Sequence, residues 1–441
     1  MVWTAYPATK ITGQVRAAAD KSCSHRALIL GGLAHGTTEV YGLLEGEDVL
    51  NTARAMRALG AEVTQIDSGT WRIEGVGPRG LTTPSDSLDF GNSGTGSRLI
   101  MGVIAGHDIS VRMIGDQSLS SRPMARVLDP LTQMGVTYQA SPGKRLPLEL
   151  QGRDDLRPIT YRPPHASAQV KSCLLLAGLK AEGRTTIEEV RKTRDHSERM
   201  LTAFGAVVES QNEGAGQTVS IAGKQKLHGQ SLTIPGDPSS VAFLATAALI
   251  SPHGGIGVEA VMSNETRDGF FRVAELMGAR IGAETVGDAA GERLIDMSFE
   301  SSDLKGINVP QKLVPSMIDE FPILAVLAAY ASGETRVTGA AELRVKESDR
   351  ITSTLKMLRV NGVACEETED GFIVRGCAGN VPGGGLVETQ HDHRIAMSAL
   401  ILGSGAQNPV SIDDASMIMT SYPEFFEHLT SLGIRLEKAH T

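Results

Sequence analysis

Asp20–Arg26, which reads DKSCSHR, gathers two permanent cations, two hydroxyls and an imidazole within seven residues. An apolar run, Ala27–Leu33, follows at once and is closed by Gly36, a pattern typical of a helix. Backbone N–H groups at a helix start attract anions, and the two cations strengthen that attraction. The segment therefore predicts an anion site at a strand-to-helix junction. A capped and solvated helix start is the alternative interpretation.

A second candidate is the glycine-rich segment Gly91–Arg98, which precedes another apolar helix pattern. Its glycines allow a ligand to approach the backbone closely. No Gly-Lys-Ser/Thr ends the segment, so it is not a P-loop. Gly75–Gly80 has the glycine spacing of a dinucleotide-binding motif. It is not predicted to be one, because Pro78 interrupts it and no helical pattern follows.

Further basic and polar segments stand at expected helix starts or in loops: Ser121–Pro123, Ser167–Lys171, Thr193–His196 and Arg344–Arg350. In the last of them, Lys346 and Arg350 are one helical turn apart, and we expect both to face one ligand. Glu347 beside them is either a proton donor or a salt-bridge partner.

Two segments contain groups suited to metal binding or proton transfer. His391–Arg394 has two histidines at strand spacing, but a metal site needs three or four ligands, so we predict no metal. Pro315–Pro322 places Asp319 and Glu320 among apolar residues, where burial would raise a carboxyl pKa toward the range of a general base. Acids at a helix start are the alternative.

Composition limits the class of protein. The chain has 441 residues, 42 Lys and Arg against 51 Asp and Glu, and a formal net charge of -9. Nucleic acid is therefore not expected as the main partner, and cations that bind an anion must be concentrated locally. No apolar run is long enough to predict a membrane span.

The cysteine pattern and the N-terminus indicate the compartment. The four cysteines lie far apart and form no CxxC pair, so neither a disulfide framework nor a zinc site is predicted. They are Cys23, Cys173, Cys365 and Cys377. The pattern fits a reducing compartment, and the first residues lack the features of a signal peptide. We expect a cytoplasmic protein.

A repeat is visible in the way helical patterns end. Six amphipathic patterns end in a glycine followed by a β-like run, at Gly60, Gly135, Gly205, Gly278, Gly362 and Gly433. Glycine supplies the left-handed position that ends a helix, and the regular spacing indicates repeated supersecondary units. Thr233–Pro238 lies between the third and fourth units. We therefore predict an α/β or α+β protein of two similar halves with a ligand cleft between them.

At these motifs the chain resembles the 5-enolpyruvylshikimate-3-phosphate synthase family. The resemblance runs from about Gly13 to about Arg435, and its most specific parts are Asp20–Arg26, Asp89–Arg98, Leu343–Arg350 and Asp392–Met397. Leu44–Asp48 and Pro315–Pro322 are similar to the bacterial class II branch, which includes glyphosate-tolerant members.

The resemblance implies the enolpyruvyl transferase fold, which has two domains of three βαβαββ units each and an interdomain cleft. The N-terminal strand would belong with the C-terminal half. The implied domains are 1–19 plus 238–441, and 20–237.

The implied reaction transfers the enolpyruvyl group of phosphoenolpyruvate to the 5-hydroxyl of shikimate 3-phosphate and releases phosphate, without a cofactor. Two phosphates and two carboxylates need a dense shell of Lys and Arg, and the reaction needs a base and an acid. We further expect a monomer, and the charge balance and apolar pattern described above predict neither a nucleic-acid nor a membrane partner.

The family motifs also imply individual roles. The catalytic residues would be Asp319 as base, Glu347 as acid and Lys21, which would help proton transfer. Shikimate 3-phosphate would be bound by Lys21, Ser22, Arg26, Ser167, Gln169, Arg194, Asp319 and Lys346, with Arg26 at its carboxylate. Phosphoenolpyruvate would be bound by Lys21, Gly94, Arg122, Gln169, Arg350 and Arg394. His25 receives no role.

The chain departs from the family pattern at three places. Ala18-Ala19 stands where many members have Pro-Gly, and Thr420 stands where many class I members have a lysine. Gly94 stands where tolerant class II enzymes can carry Ala, whose side chain would crowd glyphosate. We therefore expect glyphosate to inhibit this protein.

Two other functions compete with this interpretation. A UDP-N-acetylglucosamine enolpyruvyl transferase would share the fold, but that family has a Cys in the loop before its Arg-Pro pair, and Gly115–Pro123 has none. A non-catalytic anion-binding protein would keep the arginines without needing Asp319 and Glu347.

Overall fold

The computed structural model describes residues 2–438, which form two compact units. Unit 1 comprises the described residues up to Ala18, Gly236–Gly287 and the described residues from Arg293 onward, and unit 2 comprises Ala19–Pro235 and Asp288–Glu292. The domains expected from the sequence, 1–19 plus 238–441 and 20–237, stay a prediction. Of those ranges, residues 1 and 439–441 lie outside the described residues.

The secondary structure of the described chain alternates helices and short strands. The helices are α1 (Lys21–Leu33), α2 (Glu47–Ala58), α3 (Gly94–Ala105), α4 (Gln117–Ser121), α5 (Ala125–Met134), α6 (Ala168–Gly178), α7 (His196–Ala203), α8 (Pro238–Ile250), α9 (Gly269–Leu276), α10 (Phe321–Tyr330), α11 (Arg350–Val360), α12 (His393–Gly405) and α13 (Phe425–Ser431). Short 3-10 segments lie at Gly77–Arg79, Gln311–Met317, Ala341–Val345 and Ser416–Thr420.

The strands are short, as expected for a repeated α/β module. They are β1 (Trp3–Ala5), β2 (Lys10–Arg16), β3 (Thr37–Tyr41), β4 (Glu62–Asp67), β5 (Thr70–Glu74), β6 (Leu88–Asp89), β7 (Ser110–Ile114), β8 (Thr137–Ser141), β9 (Arg145–Gln151), β10 (Thr160–Tyr161), β11 (Arg184–Glu189), β12 (Val208–Glu213), β13 (Gly216–Ala222), β14 (Ser231–Thr233), β15 (His253–Ser263), β16 (Arg280–Ala289), β17 (Glu292–Glu300), β18 (Glu334–Val337), β19 (Cys365–Thr368), β20 (Gly371–Arg375), β21 (Leu386–Val387), β22 (Val410–Ile412) and β23 (Leu436–Lys438).

Within the described residues the strands form six sheets with one repeated order. In unit 2 the orders are β14-β3-β5-β4, β6-β7-β9-β8 and β10-β11-β13-β12, and each begins with a parallel pair and continues antiparallel. In unit 1 the orders are β2-β15-β17-β16, β18-β20-β19 and β21-β22-β1-β23. The prediction of two similar halves, each built of three βαβαββ units, is confirmed.

The N-terminal strands complete sheets formed by much later residues. β1 pairs with β22 and β23, and β2 runs parallel to β15. In the sheet of β18, isolated parallel bridges Lys305–Ser332 and Asn308–Arg336 stand where the other sheets have an edge strand. The expectation that the N-terminal strand belongs with the C-terminal half is confirmed by these pairings.

Each repeat has one helix that is apolar nearly all round and one that is amphipathic. The first class comprises α1, α3, α6, α8, α10 and α12, and all ten residues of α10 are buried. A helix that is apolar on all sides must be enclosed by protein. The N-terminal ends of these inner helices carry most of the polar motifs found in the sequence.

The amphipathic helices end as the glycine pattern predicted. Gly60, Gly135, Gly205, Gly278, Gly362 and Gly433 follow α2, α5, α7, α9, α11 and α13, and all six have φ between 78° and 109°. Residues with a side chain rarely adopt this left-handed conformation, so glycine ends each helix at low cost. The repeat inferred from these glycines is confirmed.

A second set of glycines packs against the ends of inner helices. In the described chain, a Cβ at Gly75, Gly152, Gly223 or Gly376 would overlap a carbonyl oxygen at or just beyond the end of α1, α3, α6 or α10. The residue after each of these glycines donates its N–H to another carbonyl of the same helix end. In these four repeats the last strand is thus held directly against the inner helix.

No helix among residues 2–438 is long and apolar enough to cross a membrane.

We predict that Gly152→Ala destabilises the protein by about 1–3 kcal/mol or more, as expected for overpacking. The new Cβ would overlap the carbonyl oxygens of Ile104 and His107 at the end of α3. The control is Gly255→Ala on β15, whose Cβ would have only Thr12 Cγ2 nearby, at 4.0 Å. Urea denaturation measures both. Equal stability of the two variants would contradict the packing argument.

Candidate active site

The segment Asp20–Arg26 is the predicted junction between a strand and a helix. Asp20 is the N-cap of α1, and its carboxylate accepts from the N–H of Cys23 at 2.7 Å. Lys21, the first residue of the helix, is ion-paired with Asp48 at the start of α2. The ammonium group of Lys21 is therefore held in place by an acid that sequence reasoning did not single out.

His25 faces α2 one turn further along α1. It is fully buried, and its Nδ1 lies 2.8 Å from Thr52 Oγ1, while Nε2 has no hydrogen-bond partner among the described residues. Burial, followed by the charges of Lys21 and Arg26, lowers the pKa of His25 well below its ordinary value. His25 is thus a neutral packing residue at the contact between α1 and α2.

Arg26 is a buried cation with neutral partners. Its side chain donates from Nε to Ser197 Oγ, from Nη1 to the backbone oxygen of Ser22 and from Nη2 to Ser172 Oγ, each at 2.8 Å. No described carboxylate forms a salt bridge with it, although the residue is only 5% exposed. Burial lowers the pKa of Arg26, and the charge of Arg194 acts in the same direction. The charges of Asp20 and Glu198 act in the opposite direction from a distance, so the guanidinium has acids nearby but none among the described residues that contacts it.

A buried cluster of one lysine and two glutamates lies beside Ser172 and Ser197. Lys171, with a fully buried side chain, contacts Glu189 Oε2 at 2.8 Å and Glu198 Oε1 at 2.7 Å. Burial alone would lower the pKa of Lys171, but the two glutamates raise it above its ordinary value. Lys171 precedes Ser172 on α6, and Glu198 follows Ser197 on α7. The contact between Lys171 and Glu198 therefore fixes α6 against α7 next to the two serines.

The glycine-rich segment starts α3, with Ser93 as N-cap. Arg98 Nη1 donates to Gln169 Oε1 at 2.7 Å, and Gln169 Nε2 donates to Thr95 Oγ1 at 2.9 Å. A Cβ at Gly94 would lie 3.1 Å from Nη1 of Arg98 and 3.1 Å from Nη1 of Arg122. Only glycine leaves ample room between these two guanidinium groups.

The remaining predicted residues of unit 2 stand at element ends. Ser167 is the N-cap of α6, and Arg194 lies between β11 and α7. Arg122, at the end of α4, donates from Nη2 to Asn92 Oδ1 at 2.8 Å and to Ser118 Oγ at 3.3 Å. Unit 2 therefore carries Lys21, Ser22, Arg26, Gly94, Arg122, Ser167, Gln169 and Arg194, which we call the unit 2 cluster.

Arg350 forms the centre of a second cluster, in unit 1. Its Nε lies 2.9 Å from Asp392 Oδ2, its Nη1 3.2 Å from Asp319 Oδ1 and its Nη2 2.5 Å from Glu347 Oε2. Burial alone would lower the pKa of Arg350, but these carboxylates raise it above its ordinary value. In contrast to Arg26, this guanidinium is balanced by acids of the protein itself.

Asp319, Lys346 and Glu347 gather around this guanidinium. Lys346 Nζ lies 3.3 Å from the same Asp319 oxygen that Arg350 contacts. Asp319 is therefore not in the apolar surround expected from its sequence neighbours. Lys346 and Arg350 do converge, but Lys346 precedes α11, and Arg350 forms a salt bridge with Glu347.

Arg394 completes the unit 1 cluster, which consists of Asp319, Lys346, Glu347, Arg350, Asp392 and Arg394. Its Nη1 donates to the backbone oxygen of Asp319 at 2.9 Å and to Glu320 Oε1 at 3.2 Å. Asp392 is the N-cap of α12 and holds Arg350 with the same carboxylate. Burial would raise the pKa of Asp392, but the charge of Arg350 holds it below its ordinary value.

The strand spacing assumed for His391 and His393 is wrong. His391 has φ 54° in a turn, and His393 is the first residue of α12. Among the described residues, three potential metal ligands instead meet at Cys23, His196 and Glu292, with their ligand atoms within 4.8 Å of one another. His196 Nδ1 already lies 2.8 Å from Glu292 Oε1, so these two groups satisfy each other.

Sequence reasoning missed the groups that hold the predicted residues. Asp48 and Asp392 lie inside motifs already noted. An acid within such a motif could have been predicted as the ion-pair partner of a nearby cation. Ser172 and Ser197 gave no local signal, because they are 146 and 171 residues from Arg26.

Comparison with known proteins gives a consistent result. The family model of EPSP synthase (3-phosphoshikimate 1-carboxyvinyltransferase) matches residues 5–429. The 3-phosphoshikimate 1-carboxyvinyltransferase of Hyphomonas neptunium is 61% identical over 434 residues, which cover 98% of this chain and 99% of the relative. The enzyme of that name from Maricaulis maris is 52% identical over 434 residues, covering 98% and 96%.

A solved structure resembles the whole chain. EPSP synthase from Acinetobacter baumannii superposes with a TM-score of 0.88 at 40% sequence identity, covering 100% of both chains.

We predict that His25→Gln weakens the dependence of stability on pH. The unfolded chain takes up a proton at His25 below about pH 6.5, whereas the folded protein does not, so stability is lost as pH falls from there. Between about pH 7.5 and 5.5, wild type should lose about 1 kcal/mol more than the variant. Urea denaturation at both pH values measures this. The exposed His253→Gln is the control, and equal losses in wild type and His25→Gln would contradict the assignment.

Proposed function

Because this chain belongs to the EPSP synthase family, we propose roles in the family's reaction for side chains of the unit 1 cluster and of the unit 2 cluster. The protein transfers the enolpyruvyl group of phosphoenolpyruvate to the 5-hydroxyl of shikimate 3-phosphate and releases phosphate. This is a step of the shikimate pathway to chorismate and the aromatic amino acids. What remains to be assigned is the work of each side chain.

In unit 2, the roles follow the chemistry of the side chains. Arg26 would bind the carboxylate of shikimate 3-phosphate, with Ser22 beside it. Ser167, Gln169 and Arg194 would bind the same substrate, mainly at its phosphate.

The phosphoenolpyruvate contacts proposed in unit 2 come from the glycine-rich segment and its neighbours. Arg122 would bind this anion beside the backbone at Gly94, with Gln169 as a further contact. Lys21 would contact phosphoenolpyruvate and shikimate 3-phosphate and help proton transfer. Its ion pair with Asp48 supports an ammonium group that is charged and fixed.

The observation that best supports these roles is the environment of Arg26. A buried guanidinium with three neutral acceptors has been desolvated with no carboxylate charge of the described residues in direct contact. A ligand carboxylate would supply that charge. A scaffold protein without a ligand would have no use for such a group.

In unit 1, Asp319 would take the proton of the 5-hydroxyl, and Glu347 would protonate the methylene carbon of phosphoenolpyruvate. Lys346 would contact shikimate 3-phosphate. Arg350 and Arg394 would bind phosphoenolpyruvate. Both arginines contact carboxylates of this chain, so an incoming anion would compete with Asp319, Glu347 and Glu320 for them.

Three further properties are part of this proposal. The protein would be monomeric and cytoplasmic, and its four free thiols support a reducing compartment. Thr420, which replaces a lysine of many class I members, donates its hydroxyl to the backbone oxygen of Met417 at 2.7 Å. The chain would therefore bind phosphoenolpyruvate without that lysine, as expected for the class II branch.

We predict that Asp319→Asn and Glu347→Gln each lower kcat by about 10²–10⁴, since each keeps the shape but removes a proton acceptor or donor. Phosphate release from phosphoenolpyruvate with shikimate 3-phosphate measures this, and the UDP-sugar tests the competing substrate. Glu342→Gln is the control, because Glu342 also lies near Lys346, at 3.7 Å. Unchanged turnover in both variants would remove these roles, and no phosphate release by wild type would overturn the function.

We predict that glyphosate inhibits the wild type competitively with phosphoenolpyruvate and that Gly94→Ala raises the inhibition constant at least about tenfold. The added methyl group would press against the guanidinium groups of Arg98 and Arg122. Steady-state kinetics with varied phosphoenolpyruvate measures the effect, and Gly255→Ala is the control. Absence of inhibition at millimolar glyphosate would refute the expected sensitivity.

A further inference from the structure

We propose that Ser172 and Ser197 are positioning residues that aim Arg26 at the carboxylate of shikimate 3-phosphate. The inference deepens the function proposed above and rests on it. Neither serine reaches the surface, since Ser172 is 0% and Ser197 3% exposed, so they act through Arg26 and not by touching the substrate.

The hydrogen bonds of Arg26 leave a defined pair of donors. The guanidinium has five N–H groups, one on Nε and two on each Nη. The two serine hydroxyls accept from Nε and Nη2, on one side of the fork, and the Ser22 backbone oxygen accepts from Nη1. One N–H on Nη1 and one on Nη2 remain, at the end of the fork. A carboxylate accepts two parallel bonds from such a pair.

The hydroxyl of Ser197 is itself fixed in direction. Ser197 donates its hydroxyl proton to Ser172 Oγ at 2.6 Å, so the Ser197 oxygen is available to accept from Arg26. Because both acceptors are neutral, they orient the guanidinium without cancelling its charge. The charge therefore stays available to the anion that the free pair of donors binds.

The serines are held by elements that carry other substrate-binding groups. Ser172 lies on α6, which begins at Ser167, and Ser197 lies on α7, just after Arg194. The buried contact of Lys171 with Glu198 joins the same two helices, and its contact with Glu189 joins α6 to the end of β11. Ser167 and Arg194, proposed to bind the phosphate of shikimate 3-phosphate, and Arg26, proposed to bind its carboxylate, are thus all held by α6 and α7 or by the residues next to them.

We expect Ser172→Ala and Ser197→Ala to raise KM for shikimate 3-phosphate roughly tenfold, the loss of one charge-assisted hydrogen bond, with little change in KM for phosphoenolpyruvate. The control is Ser220→Ala, which removes a buried hydroxyl of the same unit that pairs with Thr186 at 3.1 Å. Thermal unfolding verifies that all three variants fold.

Two further readouts separate positioning from a structural role. The preference of the enzyme for shikimate 3-phosphate over its carboxamide analogue should fall in both variants, because the amide offers one acceptor oxygen where the carboxylate offers two. In an Arg26→Ala background, Ser197→Ala should add no further rise in KM, since its target is gone.

Results that contradict the positioning role of the two serines can be distinguished from results that contradict the proposed enzymatic function. An active wild type whose two serine variants keep both KM and the carboxylate preference would overturn this inference alone. An additive effect in the Arg26→Ala background would also overturn it. A wild type that releases no phosphate would overturn the function instead.

Discussion

A buried cation is stabilised by an opposite charge, and the way this requirement is met differs among the three buried cations Arg26, Lys171 and Arg350. Lys171 and Arg350 are enclosed with carboxylates of the protein, which keep them charged and fix the helices around them. Arg26 is enclosed with hydroxyls and a backbone oxygen instead. The first arrangement has its carboxylates in direct contact, whereas the second has no described carboxylate in contact with the guanidinium and leaves that position to an incoming anion. The clearest indication of a substrate in this structure is therefore a buried arginine, Arg26, that no carboxylate of the described chain contacts.

The fold concentrates such groups at one kind of place. Each repeat encloses one apolar helix, and the start of an enclosed helix offers backbone N–H groups that water cannot fully solvate. Asp20, Ser93, Ser167, Asp237 and Asp392 each use a side chain to cap one of these helices. Cations and hydroxyls placed in the next turn then share the favourable field for anions. Repetition of one module six times thus produces several anion-attracting helix starts, and their local sequences decide which of them bind a substrate.

Local sequence was sufficient for the features that are local in space. The helix-ending glycines have one backbone requirement, a positive φ, so their spacing predicted the repeats. The glycines at 75, 152, 223 and 376 could not be predicted in this way, because a helix end some forty residues or more away decides what a Cβ would meet there. The same distinction separates Arg26, which a motif identifies, from Ser172 and Ser197, which only the packing of α1, α6 and α7 brings to it. The apolar surround assumed for Asp319 failed for the same reason, since Lys346 and Arg350 enter from another segment.

The choice of hydroxyls around Arg26 follows from the requirements of binding. An aspartate at either serine position would form a short ion pair with the guanidinium, and the substrate carboxylate would then have to displace it or repel it. An alanine would leave the guanidinium free to rotate, and binding would have to restrict it at a cost in affinity. A serine accepts a hydrogen bond, adds no charge and occupies little volume, so it orients the cation without neutralising it. Arg350 shows the alternative, because its three carboxylates fix it firmly but make any anion that approaches compete with them. A residue that must discriminate one carboxylate is therefore best held by neutral acceptors, as Arg26 is.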